Sequence, residues 1–255
     1  MTANSLPIGW RLAVYLLAGI AAGISNGIAG GGTFITFPTM LALGVPALQA
    51  NVSSSVGVLP SYVGGIRGYR QELAQRWPLV RQLLPACLGG VGTGAALLLL
   101  GSPTTFRNIV PWLIMAATLL FAAGPVITKR IAHLGHHELR VRALHIGMFL
   151  ISVYGGYFGA GLGIMLLALM GLTLPDDLDT LQGLRSALST IINAAAALIF
   201  LVRGHLVAEA VIMLFVGTLI GGYLGTKLIR RLRPTTVRVL IVTIGFATSV
   251  NLLLR

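Results

Sequence analysis

The chain has 255 residues, of which 56% are hydrophobic and 9% charged, and its mean hydropathy is +0.90. A soluble domain carries about a quarter of its residues as charged side chains, so this chain has too little polar surface to face water on all sides. A soluble enzyme and a disordered tail are excluded, and Cys87, the single cysteine, excludes a disulfide scaffold. What remains is a polytopic membrane protein whose first partner is the lipid bilayer. The net charge of +12 fits the positive-inside bias of such proteins better than nucleic-acid binding, because the basic residues cluster between apolar runs without interleaved aromatics. No nucleic-acid partner is expected.

Ten apolar segments follow in chain order: 12–29, 33–43, 47–66, 79–100, 108–127, 143–158, 162–174, 184–202, 206–226 and 236–254. The first is read as a retained span, since a single basic residue, Arg11, precedes it and its end carries a glycine motif found again later. A spanning helix needs about 20 apolar residues. Segments 33–43 and 162–174 are too short to cross alone as regular helices, and each follows a glycine cluster, Gly30 to Gly32 and Gly159 to Gly161.

With the N-terminus outside, the inner loops hold Arg67, Arg70, Arg76, Arg81, Lys129, Arg130, Arg140, Arg142, Arg185, Lys227, Arg230, Arg231, Arg233 and Arg238, which is 14 basic residues. Arg11, Arg107, Arg203 and Arg255 are the 4 left outside. This asymmetry favours ten traversals with both termini periplasmic over eight spans with two returning loops.

The second half echoes the first. Gly27, Gly30, Gly32 and the pair Val45 and Pro46 match Gly156, Gly159, Gly161 and the pair Leu174 and Pro175 at a constant offset of 129 residues. After a slip in register, Ile66, Arg67 and Gly68 return as Val202, Arg203 and Gly204, and Gly90 and Gly94 as Gly217 and Gly221. Each copy holds five segments, an odd number, so the copies enter the membrane from opposite sides, the inverted-repeat plan of many secondary transporters. The expected fold is therefore all-α, with a first repeat over 1–128, a basic cytoplasmic linker over 129–142 and a second repeat over 143–255. His133, His136 and His137 in the linker lack accompanying Cys ligands and are read as solvated, with no metal site expected.

A glycine cluster is either a tight turn or the opening of a helix whose free N–H groups and positive dipole end attract an anion. Two clusters at equivalent places of an inverted repeat favour the second reading. Candidate substrate ligands at the tips are Gly31, Gly32, Thr33 and Gly161. Beside them stand two polar runs within apolar segments: Asn51, Ser53, Ser54 and Ser55, continuing through Ser61 and Tyr62, and Arg185, Ser186, Ser189 and Asn193. Arg185 has two readings. It is either a helix-end residue paired with Asp176, Asp177 or Asp179, or a fixed donor fork for sulfonate, sulfite or carboxylate oxygens.

The six acids, Glu72, Glu138, Asp176, Asp177, Asp179 and Glu209, all fall in loops or at segment edges. A cation carrier or carboxylate proton relay needs an acid inside the bundle, so the cargo is expected to be anionic or neutral. No zinc-protease, nucleophile-elbow or Walker pattern occurs, which points away from an enzyme or an ATP-driven pump. His145 and the intramembrane serines lack the setting of a serine protease. No cofactor is expected.

The run from Ala22 to Pro38 (AGISNGIAGGGTFITFP), followed by Gly44, Val45, Pro46 and Ala47 to Asn51, closely resembles the sulfite exporter TauE/SafE family, and Gly155 to Gly161 (GGYFGAG), through Asn193 and Arg203, resembles its second repeat. The likeness covers nearly the whole chain. It implies a bacterial inner-membrane transporter of sulfur-containing anions, sulfite or organosulfonates such as sulfoacetate or sulfolactate, working outward and without ATP. The alternatives are a channel or carrier for another small anion or neutral metabolite, and a membrane scaffold without cargo. The number of subunits is left open, a homodimer included. Asn26 stands where members of the family often carry an acid, and Val52 where they often carry Lys. Those departures leave Arg185 as the main candidate charge.

Overall fold

A chain in lipid has no water to satisfy its backbone, so each N–H and C=O is paired within the segment, which favours helices. The computed structural model describes residues 7–28, 31–62, 69–131, 138–228 and 234–254. Among these residues there are ten α-helices and no strand: α1 (Ile8–Ile28), α2 (Thr33–Ala42), α3 (Ala47–Gly57), α4 (Arg70–Leu100), α5 (Pro103–Ile131), α6 (Glu138–Tyr157), α7 (Leu162–Thr173), α8 (Leu178–Arg203), α9 (Ala208–Leu228) and α10 (Pro234–Leu253). Each of the ten apolar segments coincides with one helix. Five helices, α1, α4, α5, α8 and α9, are long and apolar enough to cross a membrane, which makes this a multi-pass membrane protein.

The boundaries differ from the apolar windows where polar turns continue a helix. α4 begins at Arg70 and α8 at Leu178, both well before residues 79 and 184. Segment 47–66 is shorter as an α-helix than expected. It stops at Gly57 and continues as a 3-10 turn over Leu59–Tyr62, where Pro60 cannot donate an intrahelical hydrogen bond. Of the linker 129–142, the first residues belong to α5 and the last to α6, while residues 132–137, with the three histidines, lie outside the described residues.

The two short helices keep their expected lengths. α2 has 10 residues and α7 has 12, which at about 1.5 Å per residue reach roughly half of a ~30 Å hydrocarbon core. Buried aromatics fix where they stop. Phe34 of α2 packs edge-on against Phe121 of α5 with centroids 5.7 Å apart, and Phe37 meets Phe158, just past the end of α6, at 5.4 Å.

Around them the long helices pack through glycines. α1 lies on α9 and α4 on α6. A Cβ at Gly23 would lie 2.5 Å from the Thr218 carbonyl, and one at Gly94 would lie 2.0 Å from that of Val153. Only small residues allow backbones so close, and that approach replaces the hydrophobic driving force lost in lipid. α3 occupies the centre, touching α2, α5, α8 and α9, and every residue from Ala50 to Gly57 is buried. The polar run Asn51 to Ser55 therefore faces protein and not lipid.

Candidate functional site

A glycine in the left-handed region precedes both α2 and α7. Gly31 has φ +89° and Gly161 φ +74°, a left-handed conformation that costs other residues free energy. The two breaks meet at one side chain. A Cβ at Gly31 would sit 3.3 Å from Phe34 Cδ2, and a Cβ at Gly161 would sit 3.6 Å from Phe34 Cε2. The first turns of α2 and α7 are thus neighbours. The Tyr154 hydroxyl donates to the Ala160 carbonyl at 2.6 Å and holds the second break in place.

At the first tip the N–H of Gly32 is already in use. It donates to Asn26 Oδ1 at 2.6 Å, while Asn26 Nδ2 donates to Ser61 Oγ at 2.7 Å. Asn26 therefore fastens α1 to the start of α2 and to the 3-10 turn. Thr33 is buried in the first turn of α2.

Leu162 N–H donates to Gly159, and Ile164 and Met165 N–H donate to Gly161. The Gly163 N–H has no carbonyl partner among the described residues. Against that turn lies Arg185: a Cβ at Gly163 would be 3.5 Å from Arg185 Cδ and 3.6 Å from Nη1. Gly183, two residues before Arg185, backs onto Tyr69, whose Cβ lies 3.2 Å from where a Cβ of Gly183 would be.

Arg185 makes no hydrogen bond or ion pair among the described residues. Two of the three acids proposed to hold it, Asp176 and Asp177, have other partners. Asp176 accepts two N–H bonds from Arg76 of α4, one of them from Nε at 2.9 Å. Asp177 caps α8, accepting the Thr180 N–H at 3.2 Å. The Thr180 side-chain and backbone donors hold the Asp177 carboxyl below its ordinary pKa. The cap thus stabilises the fold above the unfolded-state pKa of the acid, and the stabilisation is lost as pH falls through the lowered one. Since α8 begins at Leu178, Arg185 sits about 10 Å into the helix at ~1.5 Å per residue, level with the α7 tip.

The remaining candidates divide into bonded and available groups. Asn51 donates to the Tyr157 carbonyl at 2.9 Å, joining α3 to the end of α6, and its Oδ1 is buried without a partner. Ser54 shares a short hydrogen bond with Thr36 of α2. Ser55 and Ser186 bond back to the Asn51 and Gln182 carbonyls, and Asn193 to that of Ser189, as polar groups inside apolar helices commonly do. The Ser189 hydroxyl, one helical turn beyond Arg185, makes no hydrogen bond among the described residues.

The Ser53 hydroxyl accepts the Val207 N–H at 2.9 Å, at the start of α9. Ser53→Ala is expected to lower stability by about 1–2 kcal/mol, because a buried N–H loses its acceptor, and to leave cargo affinity within twofold. A thermal melt paired with a binding titration checks this.

These features define a multi-pass α-helical membrane protein in which the starts of two half-length helices both meet Phe34 and an Arg without an acidic partner among the described residues lies at one of the tips. The sequence profile of the sulfite exporter TauE/SafE family matches residues 15–252, and the chain belongs to that family. It is similar to the "Probable membrane transporter protein" of Haemophilus influenzae, 26% identical over 252 residues that cover 94% of each chain. It is also similar to "Probable membrane transporter protein ORF9" of Sinorhizobium sp, 25% identical over 95% of this chain and 92% of the relative. A third relative is "Probable membrane transporter protein YfcA" of Escherichia coli, 25% identical over 95% and 89%. None of the three is named as an enzyme.

Proposed function

We propose that the protein is a secondary transporter moving a small sulfur-containing anion, sulfite or an organosulfonate such as sulfoacetate or sulfolactate, out across the bacterial inner membrane. The observation that carries this is Arg185: an always-ionised donor fork that has no acidic partner among the described residues and lies against a helix N-terminus whose Gly163 N–H has no carbonyl partner among them. Both attract oxyanions. A cationic cargo would be repelled by the same pair.

The inverted-repeat reading draws support from which helices touch. Exchanging each helix of the first five with its counterpart in the second turns α1 on α9 into α6 on α4, α4 on α8 into α9 on α3, and α5 on α7 into α10 on α2, all of them packed pairs. The pairs α3 with α8 and α5 with α10 map onto themselves. Both termini are then periplasmic. A negative-inside potential drives an anion outward by about 2.3 kcal/mol per charge per 100 mV, so export needs neither ATP nor a coupling acid in the bundle.

Purified protein in detergent is expected to bind sulfite and methanesulfonate and to ignore methylamine, as read by calorimetric titration. In proteoliposomes, anion efflux should quicken as the lumen is made more negative. Equal binding of the amine would refute the anion reading, and potential-independent efflux would refute uncoupled export.

A further inference from the structure

At the cytoplasmic end of the proposed topology, α4, α6 and the end of α7 leave a cavity of about 350 Å³ between them, within the range of small-ligand sites, about 300–1,000 Å³. Leu79 of α4, Val141 and Leu144 of α6 and Leu174 past the end of α7 make it largely apolar, whereas Arg76 and Gln82 of α4 bring nitrogen donors to it. Arg76 is held in place. It gives Asp176 its Nε hydrogen at 2.9 Å and one from Nη2. A guanidinium has five N–H groups, so three are left for another acceptor, on a side chain that is 41% exposed. Gln82 is exposed and makes no hydrogen bond among the described residues. It lies six residues further along α4, roughly 9 Å deeper at about 1.5 Å per residue. Trp77, next to Arg76 and 42% exposed, marks the depth, because indole rings favour the headgroup level of a bilayer. A cation at that level, a neutral donor below it and an apolar wall beside both repeat the order of a phospholipid: phosphate, glycerol ester, acyl chain. Charge favours an anionic one. Arg81 and Arg142, both exposed, adjoin Gln82 and Val141 in the chain, and the inner loops hold 14 basic residues against five of the six acids. The cytoplasmic leaflet carries the anionic lipids, and basic pockets between membrane helices on that side take their headgroups.

We propose that this groove binds an anionic phospholipid of the cytoplasmic leaflet, the free N–H groups of Arg76 donating to its phosphate and the Gln82 amide to a glycerol ester carbonyl, with an acyl chain along Leu79, Val141, Leu144 and Leu174. Neither Arg185 nor the glycine tips take part, so this site and the cargo reading fail separately. Native mass spectrometry of the full chain in detergent tests it, with phosphatidylglycerol or phosphatidylcholine of the same acyl chains titrated at about 0.15 M salt, where exposed charges more than about 8 Å apart are largely screened. The wild type should hold phosphatidylglycerol about fivefold more tightly, since the choline ammonium is set among basic residues. Arg76→Gln combined with Asp176→Asn leaves the net charge unchanged and no carboxylate without its partner. It should weaken phosphatidylglycerol about tenfold, the effect of lost charge-assisted bonds. Gln82→Leu should weaken it about fivefold, the effect of one neutral hydrogen bond. Val141→Trp, which fills the groove from a position 52% exposed, should weaken both lipids. Arg81→Gln removes a charge outside the groove and should change either affinity less than twofold.

Gln82→Leu and Val141→Trp keep the ion pair, so they carry the test should the double variant not fold. Unchanged binding in both of them would overturn the lipid site. Equal affinity of the wild type for the two lipids would do the same, as would a loss in Arg81→Gln with none in the double variant, the pattern of diffuse attraction. Displacement of the lipid by soluble glycerol phosphate at equal concentration would overturn it in favour of a site for a free phosphate ester.

Discussion

Arg185→Gln is expected to weaken cargo binding at least 100-fold and to leave the protein folded. The expected size follows from the donors lost. Two charge-assisted hydrogen bonds contribute about 1.5–3 kcal/mol each, and about 1.4 kcal/mol is a factor of ten in Kd. Removing the charge costs the fold little, because the guanidinium has no acid among the described residues that would be left unpaired. Arg185→Lys separates charge from geometry: it keeps the cation but loses the planar fork, and an intermediate loss of about tenfold is expected. Ser189→Ala, one turn along the same helix, should cost about 1 kcal/mol for a neutral donor. Calorimetric titration with sulfite or methanesulfonate, alongside a thermal melt, reads all three. Unchanged affinity in Arg185→Gln would retire Arg185 and leave the α7 tip amide without a charged companion.

The ten helices were legible because a bilayer imposes a length on each apolar segment and glycine clusters punctuate the two that fall short. The depth of Arg185 was not. Hydropathy starts segment 184–202 at the first long apolar stretch, whereas the helix starts at its cap, Asp177, and the polar turns between are invisible to an apolar window. That difference moves Arg185 from a helix end to the level of the α7 tip, and the proposed donor-fork reading draws on that depth.

The serines show a second limit. Ser53, Ser54 and Ser55 look alike in sequence, yet one caps α9 from 154 residues away, one bridges to α2 and one bonds its own preceding turn. Nothing local distinguishes them, because each partner is set by tertiary packing. Asn26 is a similar case. Sequence registers it only as a neutral residue where an acid is common, and its grip on Gly32 becomes visible only once α1 and α2 are folded against each other.

Gly94→Ala and Gly221→Ala are expected to destabilise the protein by similar amounts, about 1–3 kcal/mol each, the range for forcing atoms into a filled interface. The proposed exchange of repeats matches these two glycines, Gly94 where α4 meets α6 and Gly221 where α9 meets α1. A Cβ at Gly94 would lie 2.0 Å from the Val153 carbonyl, and one at Gly221 would lie 2.1 Å from that of Ile20. Both contacts are with backbone, so no side-chain rotation relieves them and the helices must part. Gly92, on α4 but with nothing within 4 Å of its Cβ position, is the control. There Ala should be neutral or stabilise by up to about 1 kcal/mol, the helix-propensity gain over Gly. The two damaging changes share no neighbours, so their effects should add to within about 0.5 kcal/mol in the double variant. Thermal and denaturant unfolding in one detergent measures all four proteins. A large loss at one glycine with none at the other would mean that the two helix pairs are not energetic equivalents, and the inverted-repeat reading would lose its packing argument.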